Sequence, residues 1–224
     1  MARSLRFDDR HDAGVQLAEA VRAEVDKLGI VARSIVCALP RGGLPVAAPI
    51  AQALNCPLDV IVAKKVTRPE NPELAIGAVT ADGHILRSRQ ETFTLWQSGS
   101  WRTALTEAQA KAKDQLEQFA PLRPQIDLAG TIAILVDDGI ATGLTIAVAA
   151  RALRHKHPAA LLICAPVAPL RMLNLLQQWG DRVVVLTAPS QFSSVSRFYT
   201  AFPQVSMEEA IACLTRQNAG LSAP

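Results

Sequence analysis

Five short runs of nearly unbroken apolar residues punctuate this 224-residue chain: 34–39 (SIVCAL), 58–63 (LDVIVA), 131–136 (TIAILV), 161–165 (LLICA) and 182–186 (RVVVL). Each has the length of a strand, and an unbroken apolar run suits a strand buried on both faces. Helical periodicity fills the gaps. Residues 11–28 place Leu17, Val21, Val25 and Leu28 on one face, and Gly29 stops them. Residues 44–54, 142–155 and 170–179 follow strands in the same way. Strand and helix in alternation predict an α/β fold, a parallel sheet flanked by crossover helices. Such sheets bind ligands beyond the carboxyl ends of their strands, so the loops after the runs are where chemistry is sought.

Three stretches depart from the alternation. Residues 64–72 are polar and carry two prolines, which predicts a mobile loop. Ala81-Asp82-Gly83 separates 74–80 from 84–87, and Asp-Gly between apolar runs predicts a hairpin. Residues 90–120 read as a helical insertion interrupted at 98–100, and 207–215 as a last helix. The expected organisation is one domain over 1–224 with its core at about 30–188.

Composition narrows the function. Aromatics are 4% of the chain, so the apolar mass is aliphatic and nothing suggests base stacking on nucleic acid. Twenty-three basic against 20 acidic residues leave +3, too balanced for a general nucleic-acid or membrane binder. Cys37, Cys56, Cys164 and Cys213 form no C-x-x-C pair and read as structural thiols. The first residues, MARSLRFDDRHD, hold no apolar leader, and 158–170 is too short to span a bilayer. A soluble cytoplasmic protein is expected.

The most informative loop follows the third run: Asp137-Asp138-Gly139-Ile140-Ala141-Thr142-Gly143-Leu144-Thr145. A buried strand delivers two carboxylates, and a small-residue turn then opens a helix. Such a turn lets backbone N–H groups converge, and the helix start adds donors and partial positive charge. Thr142 and Thr145 add hydroxyls. The turn therefore suits a monoester phosphate. The carboxylates would repel that phosphate, so they face sugar hydroxyls, a cation or developing positive charge. On the residues alone, Asp138 as a plain helix cap and Asp137 as a solvated strand end stay open.

LVDDGIATGLT resembles the phosphoribosyl-diphosphate (PRPP) motif of type I phosphoribosyltransferases. That motif is an apolar strand, two acids, two usually apolar residues and a small-residue-T-G-x-T loop. Gly139 takes one of the usually apolar places. The resemblance implies that Asp137 and Asp138 hold the ribose hydroxyls while Ala141, Thr142, Gly143, Leu144 and Thr145 cradle the 5′-phosphate. It also implies a type I-like core with a small hood, built from the N-terminal helix and the 189–224 tail.

The same resemblance orders the other loops. Pro40-Arg41-Gly42-Gly43 stands where the family binds pyrophosphate, often through a cis or unusual peptide. On residues alone, Arg41 is a bidentate anion donor or a surface arginine, and Gly42 and Gly43 permit positive φ and close approach. Lys64 and Lys65 stand where the family carries a flexible catalytic loop, which assigns them to pyrophosphate and Lys65 to catalysis. NPELAIGAV, FDDRHDAGVQLA and FSSVSRFYTAFPQV resemble a subgroup of uncharacterised phosphoribosyltransferases, from about residue 7 to 214. That subgroup tends to an Arg-Lys pair where Lys64-Lys65 stands.

The implied partners are PRPP and a nitrogenous acceptor, with Mg²⁺ held through PRPP and water and no direct protein ligand. A homodimer is admitted by analogy. Phe192, Phe198 and Tyr199 either stack against the acceptor or form a small core that pins the tail. Two rival functions stand beside the enzyme: a non-catalytic PRPP or nucleotide sensor on the same fold, and an unrelated α/β phosphate-ester enzyme.

Overall fold

The computed structural model describes residues 6–68, 70–88 and 99–221. Helix α1 (Arg10–Leu28) begins where the Asp9 carboxylate accepts from the Asp12 N–H at 2.9 Å, and ends at Gly29, whose φ is 63°. Strand β1 (Ser34–Ala38), helix α2 (Gly43–Ala53) and strand β2 (Leu58–Val60) follow. The chain then leaves the alternation for β3 (Ala63–Arg68), β4 (Asn71–Thr80), β5 (Ile85–Arg87) and helix α3 (Gly99–Phe119). It returns with β6 (Ile132–Val136), α4 (Leu144–Arg154), β7 (Ala160–Val167), α5 (Leu173–Trp179) and β8 (Arg182–Thr187), and ends in α6 (Met207–Ala219).

The five apolar runs form one parallel sheet in the order β2-β1-β6-β7-β8, so the predicted α/β architecture holds. Successive residues of a strand face opposite sides. Val36, Ala38, Ile132, Ile134 and Leu162 pack under α1, α2 and α6. Ile35, Cys37, Ala133, Leu135 and Ile163 pack under α4 and α5. Burial on both faces explains why these strands read as unbroken apolar runs. Cys37, Cys56 and Cys164 are buried free thiols and Cys213 is half-buried, as expected of packing cysteines. Among the described residues no helix is long and apolar enough to cross a membrane.

The 64–72 segment, expected to be a mobile loop, supplies most of one strand and the start of the next. Lys64 pairs with Val79 and Lys65 with Ala78 in an antiparallel arm, β3-β4-β5, whose second turn is the predicted Asp82-Gly83 hairpin. Composition misled because one inward residue carries the strand: Val66 packs with Ile76, Val79, Trp101, Ala104 and Ala108. Of the other residues of β3 only Lys65 is exposed; Ala63, Lys64, Thr67 and Arg68 are half-buried, so the strand shows no apolar run. Pro69 and the 90–98 part of the helical insertion lie outside the described residues.

Candidate active site

The carboxyl ends of β1 and β6 are neighbours. The Leu39 N–H donates to the Val136 carbonyl at 2.9 Å, which sets the 39–43 turn beside the aspartates. The Pro40–Arg41 peptide is cis. Gly42 lies in the right-handed region, φ −60°, so the expected use of positive φ is not what the turn needs. It needs space: a Cβ on Gly42 would collide with Asp138 Oδ2. Close approach here is to the protein's own carboxylate.

Asp137 and Asp138 leave β6 toward different surroundings. The Asp137 carboxylate accepts from the Asp138 N–H at 2.9 Å. Burial pushes its pKa well above the ordinary carboxylate value, the adjacent Asp138 adds to the rise, and Arg10 and Lys65 oppose it. Asp138 is pushed up by burial too, and Arg10 counters that directly. The Arg10 Nε donates to Asp138 Oδ2 at 2.7 Å, with both side chains largely enclosed. The second Arg10 arm, Nη1, donates to the Pro203 carbonyl at 2.6 Å, and its guanidinium lies 3.6 Å over the Phe202 ring. Helix α4 is capped by Gly143, so the reading of Asp138 as a helix cap does not hold.

The loop beyond the aspartates suits an anion. Gly143, at φ 75°, turns the chain into α4 without a side-chain cap, so the first-turn N–H groups point out of the helix start. Thr142 is exposed there, and Ala141, Leu144 and Thr145 are half-buried. Gly139 packs under Val195, and no side chain fits in its place.

Cations gather on the arm side. Lys64 is half-buried, and its pKa is lowered first by burial, then by Arg41 and Lys111. Lys111 comes from α3, three residues beyond Ala108 of the stripe that packs on β3. Sequence reading missed it, because an exposed lysine on an amphipathic helix carries no signal of its own. Lys65 is exposed on the opposite side of β3 and acts on Asp137. Among the described residues none of Arg41, Lys64, Lys65 and Lys111 is in an ion pair.

The tail rings form the small core. Phe198 and Tyr199 are buried with Phe7, Ala13 and Val167, and half-buried Phe192 stacks on Phe198 with centroids 5.7 Å apart. The Phe7 N–H donates to Phe198 O, Thr200 N–H to Phe7 O and Ala201 N–H to Asp8 O, each at 2.8 Å. The Tyr199 hydroxyl donates to the Asp138 carbonyl at 2.6 Å. Residues 6–10 and 198–203 thus make a clasp seated on the second aspartate. Sequence reading missed Arg10 as well. A signal existed: Arg10 stands seven residues before Leu17, on the stripe that buries Ala13, Gly14 and Leu17.

A groove of about 790 Å³ between α1, α2 and α6 is lined by Pro45, Pro49, Pro203 and Val205. It includes Arg10 but neither aspartate nor the Ala141–Thr145 loop. Cavity size therefore does not mark the site; residue chemistry does.

Residues 16–183 match the phosphoribosyl transferase domain family. Two Mycobacterium tuberculosis proteins, from strains CDC 1551 and H37Rv, are each provisionally named a phosphoribosyl transferase and are 38% identical to this chain over 217 residues. The match takes in 95% of this chain and 47% of theirs, so the chain spans about half the length of these curated relatives. The crystal structure of TT1426 from Thermus thermophilus is 32% identical, with a TM-score of 0.77 over 95% of this chain and 99% of that one.

Proposed function

Because the chain belongs to the phosphoribosyl transferase domain family, we propose that it transfers the 5-phosphoribosyl group of PRPP to a nitrogenous acceptor and releases pyrophosphate. The observation that carries this reading is the aspartate pair. It is flanked on one side by a helix start with no side-chain cap and on the other by cations that enter no ion pair among the described residues. A phosphate, a polyhydroxylated sugar and a diphosphate fit these three surroundings in that order.

In this reading Ala141, Thr142, Gly143, Leu144 and Thr145 fix the 5′-phosphate, and Asp137 and Asp138 orient the ribose hydroxyls beside Gly139. Arg41, Gly42, Lys64 and Lys65 receive the diphosphate. The bond from ribose C1 to the diphosphate oxygen breaks, and the leaving group takes the electron pair. A C1–N bond forms, and the acceptor nitrogen gives up its proton. The sugar becomes cationic between these events, which two nearby carboxylates favour, while lysine charge stabilises the departing oxygens.

Mg²⁺ suits the site only through substrate. Among the described residues no three His, Cys, Asp or Glu side chains gather as a metal cage, and Asp138 is engaged by Arg10. Hard cations take phosphate and water oxygens. Mg²⁺ bound there would neutralise diphosphate charge. The acceptor would approach from the tail side, with Phe192, Phe198 and Tyr199 backing that wall.

The test is pyrophosphate release from PRPP and Mg²⁺ across purines, pyrimidines and other nitrogen bases. Acceptor-dependent release is expected for one class. PRPP binding with no release from any acceptor would instead favour the sensor reading, and failure to bind PRPP would overturn the proposal.

A further inference from the structure

We propose that Arg10 is a positioning residue for the ribose site, holding the Asp138 carboxylate in place. The inference rests on the PRPP reading above and adds a residue that acts on substrate only through Asp138.

Three contacts carry it. One guanidinium nitrogen sits 2.7 Å from Asp138 Oδ2, another donates to Pro203 O at 2.6 Å, and the guanidinium plane covers Phe202 at 3.6 Å. An arginine held at two ends and across its face has little freedom left, so the carboxylate it grips is fixed too. Gly42 lies against the same Asp138 oxygen and beside Arg10 Nε, where no side chain fits, and the Tyr199 hydroxyl holds the Asp138 backbone carbonyl. A purely structural ion pair would need none of this placement beside the diphosphate turn. Removing one partner of a buried pair leaves the other charge uncompensated, so Arg10 is what lets Asp138 keep its charge in this enclosed place.

The clasp also supplies two of the three contacts that hold Arg10. Pro203 and Phe202 belong to the tail, and Arg10 to the N-terminal helix.

The experiment measures PRPP affinity with Mg²⁺ by calorimetry, across pH, for the wild type, Arg10→Gln, Arg10→Lys and Leu214→Ala. Leu214 is a buried α6 residue that serves as a control for lost stability. Arg10→Gln is expected to weaken PRPP roughly tenfold or more, on the scale of a charged hydrogen bond. Arg10→Lys should recover part of that loss, and guanidinium ion added to Arg10→Gln should recover some as well. Leu214→Ala should lower the melting temperature with PRPP affinity kept.

The pH profile separates positioning from bulk stability. The groups facing Asp138 are Arg10 from α1, Asp137 from its own strand end and the Tyr199 hydroxyl from the tail, with Lys65 acting through Asp137. Removing Arg10 takes away the main counter to the burial of Asp138, so the acid limb of PRPP binding should move to higher pH. Arg10→Gln with wild-type affinity and an unmoved acid limb would overturn the proposal, as would a loss matched by Leu214→Ala. If the wild type itself fails to bind PRPP, the parent reading falls and this one with it.

Discussion

The two sides of the aspartate pair treat charge in opposite ways. On the clasp side Arg10 is spent: its donors go to Asp138 and Pro203, its face to Phe202, and the backbone of residues 7–8 and 198–201 is cross-bonded. On the arm side Lys64 loses part of its proton affinity, first through burial and then through the charges of Arg41 and Lys111. Folding alone would select against that arrangement, since like charges repel and a buried ammonium is costly. It becomes favourable once a polyanion arrives. In the proposed reading, the clasp is the region that holds and the arm the one that receives.

Removing the boundary between the two should have the largest effect. Asp137→Asn with Asp138→Asn deletes both negative charges while keeping the hydrogen-bonding shape. Turnover should fall by about a thousandfold or more, the scale of losing a preorganised charge at a reacting centre. Circular dichroism should show the fold retained. Near-normal turnover in this double variant would erase the distinction, because the pair would then serve neither side.

A smaller change sharpens the contrast from the arm. Lys64→Met and Lys111→Met should each weaken diphosphate binding roughly tenfold and flatten its dependence on salt. Neither should lower the melting temperature, because relieving repulsion offsets any lost packing. Arg10→Gln, on the clasp, should lower it. A marked loss of stability in the lysine variants would mean that these cations have structural partners, and the arm would cease to differ from the clasp.

What the sequence reveals follows the same division. Asp137 to Thr145 lie within nine consecutive residues, so carboxylates, turn and helix start can be read together. The sheet was legible because its strands are covered on both faces, and the Asp82-Gly83 hairpin because its turn chemistry is local. The clasp joins residues 128 and 193 positions apart, and a single arginine in a first helical turn usually means solvent. Only its place on the buried stripe of α1 betrays it. Strand β3 was misread for a related reason: a strand with one fully buried residue, Val66, has the composition of a loop. The tail aromatics left stacking and packing open, and the structure shows packing for Phe198 and Tyr199, since tertiary burial is invisible to composition.

The smallest expected effect tests the stability cost of the boundary. Burial holds the Asp137 carboxyl above the ordinary value of 3.8, with Asp138 pushing the same way. A carboxyl whose folded pKa is raised is destabilising when ionised. The unfolded chain releases the proton first as pH rises, so the fold loses stability from the unfolded value upward, until the folded group also ionises. Asp137→Asn carries no such charge, and its side-chain oxygen can still accept from the Asp138 N–H. The variant should therefore melt above the wild type at pH 8, with the gap closing below the ordinary carboxylate value and Lys64 variants showing no such trend. Adding PRPP and Mg²⁺ should reverse the order at pH 8, because only the wild type gains from the ligand. A variant that melts below the wild type at every pH would show that Asp137 stabilises the empty fold, and would move it from the receiving side of the molecule to the holding one.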